Sequence, residues 1–428
     1  MIVRVEYRGG VSEPRISLPG SKSIAARLLM LDYINERRNG VPAPRRAGMP
    51  DCDDTRELSA ALDLLRQYEP GRRYDLGSGG TSMRFFIALV ASMSGFEGTV
   101  DCSEQLRRRL VSPLVDALRR MGAEIRYLLE EGRPPLYIRG IQKWPEAGAD
   151  LLAADPDIGR LSSQYISAII LASCLHGVDV RNFRLPEGVV SRPYVDMTLK
   201  LVSLFHSRSD VFSSLAVEPD WSAAAFFYEL ALLRPELTVV FDPARVAEGS
   251  LQGDSVCAPL FAEAATRRPF VADMSASPDL VPPLAVGLAF AGIPFRLEGV
   301  AALRYKESDR IAALTEGLAR LGYKIDAGGD YLEWRGEERR IGNSDKEEPL
   351  IESRGDHRMA MAFAVAAARF GPLRIRDAEC VAKSFPGFFD RLRDAGFSVE
   401  TSGWGWRGRN ILRPYRAGGK YDNPDVQQ

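Results

Sequence analysis

Apolar runs that open on a short polar junction recur along the chain, and they set its expected architecture. After LPGSKS, the positions Ile24, Leu28 and Leu31 keep the 3.6-residue spacing of a helix. The same construction returns in LGSGGTSMRFFIALV (76–90), LSSQYISAIILAS (161–173), SRPYVDMTLKL (191–201), RYKESDRIAALTEGLARLG (304–322) and RGDHRMAMAFAVAAARFG (354–371). Three further stretches pair a helix with a strand: VDALRRMGAEIRYLL (115–129), ALTEGLARLGYKIDA (313–327) and FFDRLRDAGFSVET (388–401). In each, a glycine (Gly122, Gly322 or Gly396) suits a left-handed cap, and alternating residues follow it. Repeated helix–strand units predict α/β or α+β architecture with internal duplication. Residues 37–54 and 335–349, rich in Pro, Gly or charge, read as surface loops, and 416–428 as a frayed tail.

Composition narrows the class. At 428 residues, 45% of them hydrophobic, the chain can bury a large core and is expected to form two or three domains. Lys and Arg total 56 against 57 Asp and Glu, so no global basic field exists to attract nucleic acid or an anionic membrane. Any anion binding must be local. Cys52, Cys102, Cys174, Cys257 and Cys380 are odd in number and far apart, with no metal-ligand spacing, which fits a reducing compartment. MIVRVEYRGG has no leader pattern, and no apolar run reaches the roughly 18 residues of a membrane span, so a cytoplasmic soluble protein is expected.

The polar junctions carry the candidate chemistry. In the first, Ser21 or Ser23 can cap the helix, Lys22 sits at its positive end, and Arg27 returns to the same face one turn later. This is no Walker A loop, because Arg15 stands where the first glycine belongs. The second junction places Gly77, Gly79 and Gly80 before a helix, with Ser78 or Thr81 as cap and Arg84 one turn in. Ser82 breaks the dinucleotide fingerprint there. Ser162, Ser163, Gln164 and Arg192 follow, then Lys306, Glu307 and Arg310 around a start that Ser308 can cap, then Asp356, His357 and Arg358. Arg107, Arg108, Arg109 and Lys383 add cations. One such junction reads equally as a plain capped helix. Several in a net-neutral chain concentrate cations at helix starts, as a small substrate pair rich in phosphate and carboxylate requires. Three histidines and no cysteine cluster disfavour zinc, His176 and His206 read as structural, and no G-x-S-x-G elbow supports a serine hydrolase.

Taken in order, LPGSKS, GTSMR, LVDALR, SSQ, RPYVDMTL, SPDL, KESDRIAAL, GDHRMAMAF and AKSFPGFF resemble the 5-enolpyruvylshikimate-3-phosphate (EPSP) synthase family, from Leu18 to Phe389. The resemblance implies an inside-out α/β barrel of two domains, each of three βαβαββ units, with helices inside and sheets outward. It places one domain at 20–218 and the other at 1–19 plus 219–428, with the active site in the cleft between them. It implies enolpyruvyl transfer from phosphoenolpyruvate to the 5-hydroxyl of shikimate 3-phosphate, with release of phosphate, by a monomer needing no cofactor or metal.

Carried over residue by residue, the resemblance puts shikimate 3-phosphate on Lys22, Ser23, Arg27, Ser162, Ser163, Gln164, Ser191, Tyr194, Asp279 and Lys306. Phosphoenolpyruvate falls to Lys22, Gly80, Arg109, Gln164, Arg310, Arg358 and Lys383, with Arg84 as support. Asp279 and Lys22 suit deprotonation of the 5-hydroxyl, and Glu307 suits proton delivery to the methylene, with Lys306 and His357 orienting it. Cations around Glu307 favour its charged form. Ser78, Leu110 and Ala302 depart from the family's usual Asn, Pro and Asn, and Trp221 replaces a small residue. The alternatives are the sister transferase acting on UDP-N-acetylglucosamine, which carries a reactive cysteine near an Arg-Pro pair, and a non-catalytic anion-binding relative.

Overall fold

The structure, a computed structural model, describes residues 1–145, 157–179, 184–207, 209–242, 249–337 and 348–402. Three βαβαββ units are complete among them. In the first, strands Arg72–Asp75 and Glu97–Asp101 run parallel, joined by helix Gly80–Ser92. After helix Ser112–Arg120, strands Glu124–Tyr127 and Leu136–Arg139 close the sheet antiparallel. The second repeats this plan with strands Phe270–Asp273, Phe295–Glu298, Asp326–Ala327 and Tyr331–Trp334 around helices Val281–Phe290 and Arg310–Arg320. The third uses Leu350–Glu352, Leu373–Arg376 and Phe397–Ser402, and the N-terminal strand Ile2–Tyr7 inserts between the last two, so the two ends of the fold are knitted together. Gly122, Gly322 and Gly396 have φ of 106°, 92° and 90°, the left-handed conformation expected of them.

Three more helix pairs complete the duplication: Lys22–Asn39 with Asp53–Arg66, Ser163–Cys174 with Arg192–Ser207, and Trp221–Leu233 with Cys257–Thr266. Around these, the described strands supply only the parallel pair Arg15–Ser17 and Val240–Asp242. The expected six full units are therefore seen as three full and three partial ones. The first proposed loop needs trimming, since helix covers 37–39 and 53–54; in the second, 335–337 and 348–349 are irregular, and 338–347 lie outside the described residues, as does the tail.

Helices fill the interior because their apolar character is all-round rather than one-sided. Buried apolar side chains form two clusters. One runs from Ile24 to Val217 around helices Lys22–Asn39, Gly80–Ser92 and Ser163–Cys174. The other joins Val3, Val5, Ile16 and Leu18 to residues from Trp221 to Phe397, around helices Trp221–Leu233, Val281–Phe290 and His357–Phe370. The chain passes between the clusters twice, where Ser21 N–H donates to Glu218 and Asp220 N–H to Pro19. No helix among the described residues is long and apolar enough to cross a membrane.

One core residue breaks the pattern. Glu229 is fully buried in helix Trp221–Leu233, beside Gly287, and neither carboxyl oxygen has a hydrogen-bond partner. Burial pushes its pKa well above the ordinary carboxyl value. A carboxyl held neutral in the fold and ionised in the unfolded chain favours folding less as pH rises. Its contribution is whole below the unfolded pKa, near 4.3, and shrinks steadily above it. Glu229→Met is therefore expected to stabilise the protein at neutral pH by about 1–3 kcal/mol, read as a higher thermal midpoint, with the gain diminishing toward acid pH.

Candidate active site

A cavity of ≈280 Å³ lies between the two cores. Six helices begin on its wall: their first-turn residues Lys22 and Ser23, Gly80 and Thr81, Ser163 and Gln164, Tyr194, Arg310, and His357 and Arg358 all line it. Free N–H groups and the positive ends of six helix dipoles thus converge on one volume, which favours anions before any side chain is counted. The side chains add to this field. Lys22, Arg27, Arg84, Arg108, Arg109, Arg133, Arg304, Lys306, Arg310 and Arg358 line the cavity against only Asp54, Asp279 and Glu307. In a chain with net charge −1, that surplus is a local construction.

Asp279 stands at the centre of one cationic group. It accepts from Arg310 Nη1 at 2.9 Å and Arg358 Nη2 at 2.9 Å, and Lys306 Nζ is 3.6 Å away. Burial alone would raise its pKa, but Arg358, Lys306 and Arg310 together hold it well below the ordinary carboxylate value. Arg310 is oriented from behind by Asp356, which takes its Nε at 2.8 Å and Nη2 at 3.2 Å. Asp356 also caps the next helix, accepting Arg358 backbone N–H at 3.0 Å, so one fully buried carboxylate aims the Arg310 guanidinium and fixes the backbone that carries Arg358. Lys306, by contrast, has its pKa lowered, chiefly by burial.

The second group surrounds Glu307, whose Oε2 lies 2.7 Å from His357 Nδ1. Burial opposes its ionisation, yet His357, Lys383 and Lys22 hold it well below the ordinary value. Burial lowers the His357 pKa, and its Nε2 is buried without a partner. Lys22 pairs with Asp54 at 3.0 Å; burial works against its charge, but Asp54 and Glu307 raise its pKa. Glu307, Asp356 and His357 bring ligand-type atoms within 4.8 Å of one another. Arg310 already engages Asp356, and Lys22 and Lys383 face Glu307, so this cluster is electrostatically better suited to proton handling than to a divalent cation.

The remaining candidates divide by their partners. Gln164 donates to Thr81 Oγ1 at 2.9 Å and accepts from Arg84 at 2.8 Å. Arg84 also reaches the carbonyls of Gly80 and Leu110, which makes it a buttress. Leu110 needs no proline for this, since its carbonyl takes both Arg84 and the Tyr165 hydroxyl. Arg27 is largely committed to protein: it donates to Thr198, Ser23 O, Ser167 and Tyr194 O. Among the described residues Arg109 has no such ties, its Nε is buried and unpartnered, and burial brings its pKa down to about 10. Ser162 caps its helix, Ser163 and Ser191 line the cavity, and Ser191 holds φ of 54°, a strained value for a residue with a Cβ. Ala302 lines the cavity as well. Lys383 does not: it is 7% exposed and bonds Gln105 and the Gly355 carbonyl instead.

Two expected caps are corrected. Asp309, not Ser308, caps the Arg310 helix, and Ser308 donates to Asp356. At the glycine turn neither Ser78 nor Thr81 is the cap. Glu57 Oε2 accepts the Ser78 and Gly79 N–H groups at 3.0 and 3.1 Å, and burial with the nearby Asp54 pushes its pKa up to about 8. Sequence reasoning missed Asp54 and Glu57, although DCDDTREL was a visible acidic helix start. It also missed Asp254, 2% exposed, which accepts from Tyr194 at 3.0 Å and from Ser222. Burial pushes the Asp254 pKa up to about 6.

The paired cores with internal helices and a cationic cleft define the enolpyruvyl-transferase fold. EPSP synthase from Acinetobacter baumannii matches with a TM-score of 0.63 at 22% identity, over 94% of this chain and 100% of that one. The enolpyruvyl transferase NikO from Streptomyces tendae matches at 0.58 and 14%, over 93% and 98%. The sequence narrows the class further: the family described as EPSP synthase (3-phosphoshikimate 1-carboxyvinyltransferase) matches residues 10–392. The 3-phosphoshikimate 1-carboxyvinyltransferase of Bacteroides fragilis is 34% identical over 90% of this chain and 96% of its own length, and that of Syntrophobacter fumaroxidans 35% over 88% and 95%. The chain belongs to the EPSP synthase family.

Proposed function

We propose that the protein transfers the enolpyruvyl group of phosphoenolpyruvate to the 5-hydroxyl of shikimate 3-phosphate and releases phosphate, the step that leads toward chorismate and the aromatic amino acids. The observation that carries this reading is the cation-rich cavity holding two carboxylates, Asp279 and Glu307, in separate cationic groups. Each substrate brings a phosphate and a carboxylate. Shikimate 3-phosphate lies against Lys22, Ser23, Arg27, Ser162, Ser163, Gln164, Ser191 and Tyr194, and phosphoenolpyruvate against Lys22, Gly80, Arg109, Arg310 and Arg358; Lys383, outside the cavity lining and held by Gln105 and Gly355 in the free protein, joins them when the site closes. The halves 20–218 and 1–19 plus 219–428 act as two domains closing on the ligands. The separate cores and the two chain crossings near Pro19 and Glu218 support that division.

The charges explain how two acids of depressed pKa can exchange protons. In the free protein Arg358, Lys306 and Arg310 favour the charged form of Asp279, and His357, Lys383 and Lys22 that of Glu307. Substrate phosphates and carboxylates then offset those cations, so both pKa values rise inside the closed site. Asp279, with Lys22 beside the reacting oxygen, takes the 5-hydroxyl proton. Glu307 gives a proton to the methylene carbon in addition and removes one in elimination, with His357 fixing its orientation and Lys306 neutralising charge. Five free, buried thiols fit a cytoplasmic protein, and because one chain supplies both cavity walls a monomer suffices.

Gly80→Ala is expected to raise the KM for phosphoenolpyruvate about 10-fold or more while changing that for shikimate 3-phosphate little. A Cβ at residue 80 would come within 2.4 Å of Arg109 Nη1 and 3.1 Å of Arg84 Nη1. Steady-state kinetics with each substrate varied in turn checks this. The acceptor is tested by following phosphate release from phosphoenolpyruvate with either shikimate 3-phosphate or UDP-N-acetylglucosamine. Release with the first alone is expected, and release with the second alone would replace this reading by the sister activity. Cys102 already argues against that outcome, since it is buried and its thiol pKa is pushed up to about 12 by burial and Asp101, unlike a reactive cysteine.

A further inference from the structure

Gln105 lies in the short helix Glu104–Arg107 on the first core's side, yet its four side-chain hydrogen bonds all reach residues of the second. Its Oε1 accepts from Lys383 Nζ at 2.9 Å. Its Nε2 faces the carbonyls of Glu307, Arg354 and Gly355 at 3.4, 3.3 and 3.4 Å. Two N–H bonds shared by three carbonyls are individually weak, but they gather two chain segments on one amide, and the Lys383 bond adds a third.

The segment they hold is strained. Arg354 and Gly355 have φ of 57° and 66°, and Arg354 has no glycine freedom to make that inexpensive. A Cβ on Gly355 would sit 3.0 Å from Gln105 Nε2, so the glycine also keeps space for the amide. Directly after this turn come Asp356, which aims Arg310 and caps the helix, then His357 and Arg358. The backbone that places three site residues is thus braced from the opposite wall, by the same side chain that holds the Lys383 ammonium.

We propose that Gln105 is a positioning residue: through Lys383 and the 354–355 turn it sets the phosphoenolpyruvate side of the site when the two cores are docked. This rests on the reading above that Lys383 and Arg358 take phosphoenolpyruvate. Two variants separate its two contacts. Gln105→Ala removes both, whereas Gln105→Glu keeps an oxygen for Lys383 and turns the amide donor into an oxygen facing three carbonyls.

The readouts are amide hydrogen exchange of the substrate-free protein and steady-state kinetics. Gln105→Ala is expected to speed exchange across 353–358 and 380–384 by about 10-fold. It should raise the KM for phosphoenolpyruvate about 5–20-fold, with the KM for shikimate 3-phosphate within about twofold and the thermal midpoint unchanged. Gln105→Glu should speed exchange at 353–358 and leave 380–384 near the parent. Unchanged exchange in Gln105→Ala overturns the proposal whatever the activity, and so does faster exchange with an unaltered KM for phosphoenolpyruvate. A parent protein with no turnover sinks the assigned reaction instead.

Discussion

Lys22→Ala is expected to fold and to lose turnover by about 10³-fold or more, because on the proposed reaction it deletes a cation that meets both substrates where charge develops. The Lys22 ammonium is poised between Asp54 and Glu307 at a helix start that lines the cavity. Read from sequence, the residue is a cation on an exposed helix start, whose removal costs the fold nothing. The structure changes that part: its side chain is 15% exposed and Asp54 beside it 10%, so Lys22→Ala strands a mostly buried carboxylate. A modest fall in thermal midpoint should accompany the loss of activity. Adding Asp54→Ala should recover stability without recovering turnover, which separates the chemical role from the structural one. A folded single mutant with near-normal kcat would refute the assignment.

Glu307→Gln is expected to lower kcat by about 10²–10⁴-fold with little change in either KM. The amide keeps the shape and an oxygen toward His357 but can neither deliver nor remove the methylene proton. The sharper reading comes from heavy water. With both substrates present, the parent protein should place solvent deuterium on the methylene carbon of phosphoenolpyruvate or product, through reversible addition. The variant should not. Retained deuterium incorporation in Glu307→Gln would move the proton transfer to another residue, His357 being the nearest.

What the sequence disclosed and what it hid follow from range. Local signals carried the helix starts: the polar junctions at Ser21, Ser162 and Asp356 cap helices, and their cations line one cavity. The glycine-stopped helices before residues 122, 322 and 396 were legible for the same reason, since a left-handed cap is decided within a few residues. Partnerships between distant segments were not legible. Glu57 holds the glycine turn 21 residues away, Asp356 serves Arg310 across 46 residues, and Gln105 meets Lys383 across 278. Arg27 shows the converse: its position in the motif suggested a ligand-facing cation, and only tertiary packing reveals that Thr198, Ser167 and Tyr194 already occupy most of its donors. Electrostatics was half legible. The sequence showed cations around Glu307, whereas the structure shows that His357, Lys383 and Lys22 are the groups that favour its charged form.

The most direct test is to incubate the protein with phosphoenolpyruvate labelled with ¹³C at its vinyl carbons and shikimate 3-phosphate, and to follow carbon and phosphorus resonances together. The account predicts inorganic phosphate and a carboxyvinyl ether at the 5-oxygen, appearing in equal amounts and only when both substrates are present. Phosphate release without ether formation, or an unchanged spectrum with folded protein, would contradict it.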